Sequence, residues 1–156
     1  MLSFLKKKQK SNLGEFYFKA GSANLDNDEY DEAIKYFTAA IEELAGEKSN
    51  LSLAYYNRGT AILQKYASEF YGGRQLDSLY MSTTAYDLSK LLTSGYDDVK
   101  KAMALGSKND NDYLYTIGSI CICLQKYEEA KKYFLIGAKQ SDEGCKQALQ
   151  KWKRFF

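Results

Sequence analysis

Residues 30–37 read YDEAIKYF, and residues 127–134 read YEEAKKYF. Six of the eight positions are identical, and a seventh exchanges one acidic residue for another. A glycine precedes each copy by nine residues, Gly21 before the first and Gly118 before the second. Because two distant segments share both their residues and the glycine ahead of them, the sequence predicts one structural unit that is used at least twice.

Each unit is predicted to be a pair of helices. Ahead of the first copy, apolar residues recur every three or four positions, which is the spacing of one helix face: Phe16, Tyr17, Ala20 and Ala23. Asn27 and Asp28 interrupt this spacing, and Asp28 or its neighbour can cap the second helix, which is predicted to end at Gly46. The segment 53–62 repeats the logic of the first helix, and its Gly59 follows Gly21 at a distance that suits a helix pair plus a loop.

The middle of the chain departs from this period. In the outer units the tyrosine that opens the second helix follows the glycine by nine positions. In the middle unit the tyrosine that best matches it is Tyr96, which follows Gly59 at a much greater distance. The difference predicts an insertion of about 28 residues between the two helices of the middle unit, at about residues 66–95. The double glycine at 72–73 predicts a turn there, and the spacing from Leu76 to Leu92 favours an extra or kinked helix.

These features resemble the tetratricopeptide repeat, a helical hairpin with a period of about 34 residues. The small residue that the family has in its first helix matches Gly21, Gly59 and Gly118. In the second helix, the family's alanine matches Ala33 and Ala130, and its aromatic residue matches Phe37 and Phe134. The family's usual proline is replaced by Ala45 and Asp142. The resemblance implies an all-α, right-handed superhelical stack of about three hairpins, with the insertion in the middle one.

The repeats are expected at about 14–46, 50–106 and 110–140, within a single domain that spans 11–156. Residues 1–10 are predicted to form a basic N-terminal tail. A helix at 143–156 is expected to cap the last hairpin, because a stack of repeats otherwise leaves an apolar end exposed. A partner-binding or membrane-surface helix is the alternative for this segment, since its aromatic residues lie beside basic ones: Trp152, Phe155 and Phe156 with Lys151, Lys153 and Arg154.

Composition narrows the classes of function. The chain of 156 residues has no histidine, which removes imidazole acid–base chemistry and histidine-bearing zinc sites, and we expect no enzyme activity, metal or cofactor. A net charge of +2 gives no reason to expect a specific nucleic-acid partner. The sequence has no apolar run long enough for a transmembrane segment. Three cysteines and the lack of a secretory-signal pattern predict a cytoplasmic protein.

The resemblance also implies where a partner would bind, because the first helix of each repeat in this family lines a concave groove. Carried over to this chain, the groove residues are Phe18, Ser22, Leu25, Tyr56, Asn57, Thr60, Leu63, Tyr115, Ser119 and Ile122. Three aromatic residues among them suit an extended or helical peptide. We therefore predict a non-catalytic adaptor that binds a peptide or protein segment.

Two alternatives stay open at this point. The groove could be covered by the insertion or by another copy of the chain. The protein could then be a structural self-association module, a homo-oligomer formed through the groove or through the C-terminal helix.

One subgroup of the family holds the acidic tails of cytosolic chaperones in a clamp of lysine, asparagine and arginine. Of the five equivalent positions in this chain only Asn57 matches the clamp, and the other four are Phe18, Ser22, Asp112 and Thr116. Asp112 would repel an acidic tail. The sequence therefore predicts no binding of this clamp type.

Overall fold

The computed structural model describes residues 2–71, 78–106 and 110–156, with the backbone alone for 2–11, 70–71 and 78–86. Within these ranges the secondary structure is helical: α1 (Leu2–Asp26), α2 (Tyr30–Glu43), α3 (Lys48–Tyr71), α4 (Ser78–Leu105), α5 (Asn111–Cys123), α6 (Tyr127–Lys139), α7 (Glu143–Lys151) and a 3₁₀ turn at Lys153–Phe155. Helices pair as α1–α2, α3–α4 and α5–α6, and each pair packs on the next. The predicted all-α, right-handed stack of three hairpins is confirmed.

Short turns of one kind join the helices of the outer hairpins. Asp28 and Gln125 adopt φ values of 61° and 58°, in the left-handed region, two residues before the next helix begins. In both turns a backbone N–H then reaches back five residues to the end of the preceding helix, from Glu29 to Asn24 and from Lys126 to Cys121. The repeated sequence therefore begins, both times, directly after an identical turn.

The shared geometry of the outer hairpins rests on their glycines. A Cβ atom placed on Gly21 would lie 2.8 Å from Cδ1 of Phe37, and one placed on Gly118 would lie 2.8 Å from Cδ1 of Phe134. Both aromatic rings are fully buried. These glycines mark close crossings of paired helices, because any side chain there would occupy the space of a core ring.

The middle hairpin has a different register from the one predicted. Gly59 faces Val99 and the carbonyl of Gly95, so Val99 takes the place that Phe37 and Phe134 hold in the outer hairpins. This match makes the insertion about one helical turn shorter than predicted. In this register the residue equivalent to Tyr30 and Tyr127 is the buried Leu92, and not Tyr96 as predicted.

The insertion lengthens both helices of the middle hairpin. Helix α3 continues from Gly59 to Tyr71, whereas α5 ends only five residues past Gly118. Gly95 in α4 is equivalent to Ala130 in α6, because each lies four residues before the residue that packs on the glycine. Helix α4 begins at Ser78, far before Gly95, whereas α6 begins only three residues before Ala130. At about 1.5 Å per residue, the additional part of α4 is about 20 Å long.

The predicted extra helix is therefore wrong for the described part of the insertion. One helix, α4, runs from Ser78 to Leu105 without interruption. Since no additional element reverses the chain there, the last hairpin keeps the direction of the first two. The predicted turn at residues 72–73 lies outside the described residues.

A buried ion pair joins the first two hairpins. Asp98 is only 2% exposed, and both of its carboxylate oxygens accept hydrogen bonds from Arg58, from Nε at 2.7 Å and from Nη2 at 2.8 Å. The remaining arginine nitrogen, Nη1, donates to Oγ1 of Thr38 at 3.0 Å. The arginine of α3 thus ties α4 of its own hairpin to α2 of the preceding one.

The two ends of the stack differ. At the C-terminal end, Cys145 and Ala148 of α7 are buried against the last hairpin, and the ring of Phe155 stacks on Tyr127 with centroids 5.0 Å apart. The predicted capping helix is confirmed. At the N-terminal end, α1 begins at Leu2, so the backbone of residues 2–10 continues the first helix instead of forming a separate tail. Lysine has a high helix propensity, and no glycine or proline precedes Gly14.

The three cysteines are free and differ in burial. Burial raises the pKa of Cys121 and of Cys145 to about 12, and raises that of the half-buried Cys123 as well. A folded-state pKa above the ordinary value of 9.0 contributes stability below pH 9, and this contribution is lost as the pH rises toward 12.

We therefore expect Cys121 and Cys145 to resist an aromatic disulfide reagent in the folded chain, while Cys123 reacts slowly. The free energy of unfolding, measured in urea, should fall between pH 9 and 12. Immediate reaction of all three thiols at pH 8 would contradict the burial of two of them.

Candidate functional site

The first helices of the three hairpins, α1, α3 and α5, lie side by side. The ring of Tyr56 in α3 packs at a tilt on that of Tyr113 in α5, with centroids 4.7 Å apart, and Thr116 Oγ1 donates to the hydroxyl of Tyr56 at 3.4 Å. Phe18 of α1 packs against the two buried clusters that α1 and α2 share with α3. These three helices form one face of the stack, which we call the inner wall.

The three predicted aromatic residues of the inner wall differ in how far they reach solvent. Phe18 is half-buried and meets the ring of Phe37 edge-on at 5.8 Å. Tyr56 is half-buried on Tyr113, and this burial raises the pKa of its phenol. Tyr115 is 44% exposed. Tyr115 is therefore the most exposed of the three residues, and the rings of Phe18 and Tyr56 are held more firmly by their neighbours.

The other predicted groove residues are less exposed than Tyr115. Six of them are half-buried: Ser22, Leu25, Asn57, Thr60, Leu63 and Ser119. The hydroxyls of Ser22 and Ser119 donate to backbone carbonyls four residues earlier, at 3.1 and 2.9 Å, which leaves their oxygens able to accept. Ile122 is buried in the core, where it supports the wall and offers no contact to a partner.

Two inner-wall residues outside the predicted set matter to the site. Leu53, one turn before Tyr56, is 42% exposed. Tyr113 is buried, and its hydroxyl lies 3.1 Å from Ser52 Oγ while its ring supports Tyr56. The position of Leu53 follows from the sequence, because its spacing places it on the same helix face as Tyr56. Nothing in the sequence alone pairs Tyr113 with a ring in the preceding hairpin.

Carboxylates border the inner wall at the start of α5. Asp110 caps this helix by accepting from the backbone N–H of Asp112 at 3.0 Å, and the Asp112 side chain is exposed. Both negative charges add to the effect of burial in raising the pKa of Tyr56. This part of the wall therefore disfavours an anionic group.

Two further properties concern the described residues as a whole. In the ranges that the structure covers, no three side chains of the types that bind metals converge on one point. None of the helices in these ranges has both the length and the apolar character needed to cross a bilayer.

The comparisons with known proteins agree with this architecture. Residues 14–43 and 111–135 match the sequence model of the tetratricopeptide repeat. These two matches, together with the fold, support a place for the chain in the tetratricopeptide-repeat family. The two matches cover the first and third hairpins, and the unmatched middle hairpin is the one that carries the insertion. No curated protein shows a significant sequence match to the chain.

A solved structure has the same overall architecture. The Arabidopsis OM64 TPR domain superposes with a TM-score of 0.70, over 94% of this chain and 99% of that domain, at 17% sequence identity. At this identity the likeness shows the fold alone. Tetratricopeptide repeats serve in general in protein–protein interaction and are typically non-catalytic.

Proposed function

We propose that this tetratricopeptide-repeat protein is a non-catalytic adaptor that binds a protein segment along the inner wall of α1, α3 and α5. The observation that carries this proposal is the exposure of Tyr115 and Leu53, at 44% and 42%, on a wall whose other rings are held in place. Exposed apolar side chains on a rigid, amphipathic surface are typical of sites that bind peptides.

The wall offers both kinds of contact that a peptide needs. Tyrosine contributes a large contact area at a low cost in conformational entropy. The ring of Tyr115 already packs beside that of Phe134, with centroids 6.2 Å apart, so that binding restricts it little further. Between the apolar residues lie the polar side chains of Ser22, Asn57 and Ser119, which can bond to a peptide backbone. Asp112 at the border favours a neutral or basic segment over an acidic one.

The exposure of Tyr115 and Leu53 also weighs against a groove covered by the described part of the insertion. Self-association through the C-terminal helix has less support, because Phe155 stacks on Tyr127 and Trp152 is half-buried against the core of the same chain. The free thiols accord with a cytoplasmic location for the adaptor.

Panning of a random peptide library against the folded chain should yield binding peptides, whose affinity is then measured by fluorescence anisotropy. We expect Tyr115→Ala to weaken a selected peptide about 10- to 30-fold, and Leu53→Ser by a smaller factor, because central aromatic anchors contribute most to such interfaces. Neither side chain belongs to the buried core, so the variants should fold, and circular dichroism checks this.

Leu135→Ser is the matched control for this measurement. Leu135 is 42% exposed, as Leu53 is, but lies on α6 and not on the inner wall. Its replacement should leave the affinity unchanged. Failure to select any peptide, or a loss of affinity with Leu135→Ser and none with Tyr115→Ala, would overturn the proposal.

A further inference from the structure

The N-terminal end of the stack exposes an apolar helix face. Phe16 is 61% exposed and Leu13 is 41% exposed, and Phe16 is the most exposed large hydrophobic side chain in the described part of the chain. Ala20 and Ala23 continue the line at four- and three-residue steps. These four residues lie on one side of α1, away from Gly14 and Gly21, which pack against α2 and its C-terminal end. We call them the outer stripe.

No element of the described chain covers the outer stripe. At the other end of the stack α7 buries its apolar residues and turns polar ones outward, which is the usual way to close a stack of repeats. A closing element of this kind is missing at α1 among the described residues, where Leu13, Phe16 and Ala23 are exposed and Ala20 is half-buried. Apolar exposure on adjacent turns of a terminal helix indicates an interaction surface.

The outer stripe has a shape that complements itself. Its N-terminal half carries the bulky Leu13 and Phe16, and its C-terminal half carries the small Ala20 and Ala23. When two such helices pack antiparallel, the bulky half of one meets the small half of the other, so that Phe16 lies against Ala20 of the second copy. Small residues let helices approach closely, and large ones fill the space that remains.

Charge favours the same antiparallel arrangement. The C-terminal end of α1 and the turn after it carry exposed acidic residues, Asp26, Asp28 and Glu29. The N-terminal part of the same helix contains four lysines, at sequence positions 6, 7, 8 and 10. An antiparallel pair brings these opposite charges together, whereas a parallel pair brings like charges together.

The length of α1 adds a third argument. Gly14 packs against Leu44, just beyond the end of α2, so the α1 backbone before Gly14 extends past its own hairpin partner by about 18 Å. Helices without tertiary packing are marginally stable in water. In the antiparallel register that sets Phe16 against Ala20, residues 10–13 of each extension lie alongside residues 23–26 of α1 of the other copy, and the residues before them extend past its end.

We propose that two copies of this chain associate through the outer stripes of their α1 helices, packed antiparallel about a two-fold axis. The contact is isologous, and it joins two stacks at their N-terminal ends. The inner wall takes no part in it, so each copy keeps its peptide-binding surface.

Sedimentation velocity of the full chain at about 5 and 100 µM tests this proposal. We expect a dimer that dissociates on dilution, and a Phe16→Glu chain whose dissociation constant is at least tenfold higher. Leu135→Glu is the control, because it places the same charge at another exposed apolar position outside the stripe. Ala23→Arg provides a second disruption, and circular dichroism checks that each variant folds.

Cysteine cross-linking tests the antiparallel register. Leu13→Cys and Ala23→Cys chains, mixed and mildly oxidised, should form a disulfide with each other, while neither cross-links alone. A wild-type chain that is monomeric at both concentrations would overturn the proposal, as would a dimer unaffected by Phe16→Glu. Self-cross-linking of Ala23→Cys would overturn the antiparallel arrangement. Peptide binding by the Phe16→Glu chain should stay normal, which separates this test from that of the inner wall.

Discussion

An Arg58→Ala chain is expected to lose about 3–5 kcal/mol in its free energy of unfolding, because Asp98 would stay buried without a partner for its charge. In the wild-type chain the arginine donates to both oxygens of this carboxylate and also reaches Thr38. The loss should therefore affect the packing of the first hairpin on the second. Urea denaturation followed by circular dichroism measures it.

Two further variants show that the geometry of the ion pair matters. Arg58→Lys keeps the charge but cannot donate two parallel hydrogen bonds, so we expect an intermediate loss. The double variant Arg58→Met with Asp98→Leu should recover most of the stability, because it leaves no buried charge. A cost below about 1 kcal/mol for Arg58→Ala would indicate an ordinary surface ion pair and contradict the burial of Asp98.

The second large effect is expected at Gly118. We expect Gly118→Val to lower the free energy of unfolding by about 3 kcal/mol, since its side chain would overlap the ring of Phe134, which is fully buried. The helix propensity that valine gains over glycine is only about 0.4 kcal/mol, which does not offset this overlap. Thermal unfolding and urea denaturation would both record the loss.

Gly144→Ala is the matched control in another helix. A Cβ atom there would approach Tyr115, whose exposed ring can move, and we expect a change within about 0.5 kcal/mol. Adding Phe134→Leu to Gly118→Val should cost less than the sum of the two changes, because the smaller side chain makes room. Strict additivity would show that the two residues do not meet.

Much of the fold could be predicted because its signals are local. The repeated stretch begins directly after a turn, and Gly21 and Gly118 mark the crossings of helices that are neighbours in sequence. A capping helix followed from the apolar spacing of Cys145, Ala148 and Trp152. Such patterns depend on helix periodicity and on steric space, and both can be read from the order of the residues.

The register of the middle hairpin could not be predicted in this way. Tyr96, Asp97 and Asp98 imitate the start of the repeated stretch one helical turn too late, and the residue that packs on Gly59 is Val99 instead of an aromatic. Because the insertion extends two existing helices, no break in periodicity marks its ends. Only the packing of Gly59 identifies the correct register.

The inner wall was predicted less completely than the fold. The helix face of each groove residue follows from its spacing, but its exposure depends on neighbours that are distant in sequence. Tyr56 is half-buried because Tyr113 lies under it, and Tyr115 is more exposed because its nearest ring, Phe134, lies to one side. The outer stripe escaped prediction because Phe16 and Ala20 read as the interior face of an ordinary amphipathic helix.

The most direct test of the adaptor proposal is the change in backbone amide chemical shifts when a selected peptide is added to the isotope-labelled chain. We predict that the largest changes occur along the inner wall, around Ser22, Asn57 and Ser119, and that residues near Leu135 change little. Largest changes on the outer side of α6, or on α7 alone, would contradict binding at the inner wall.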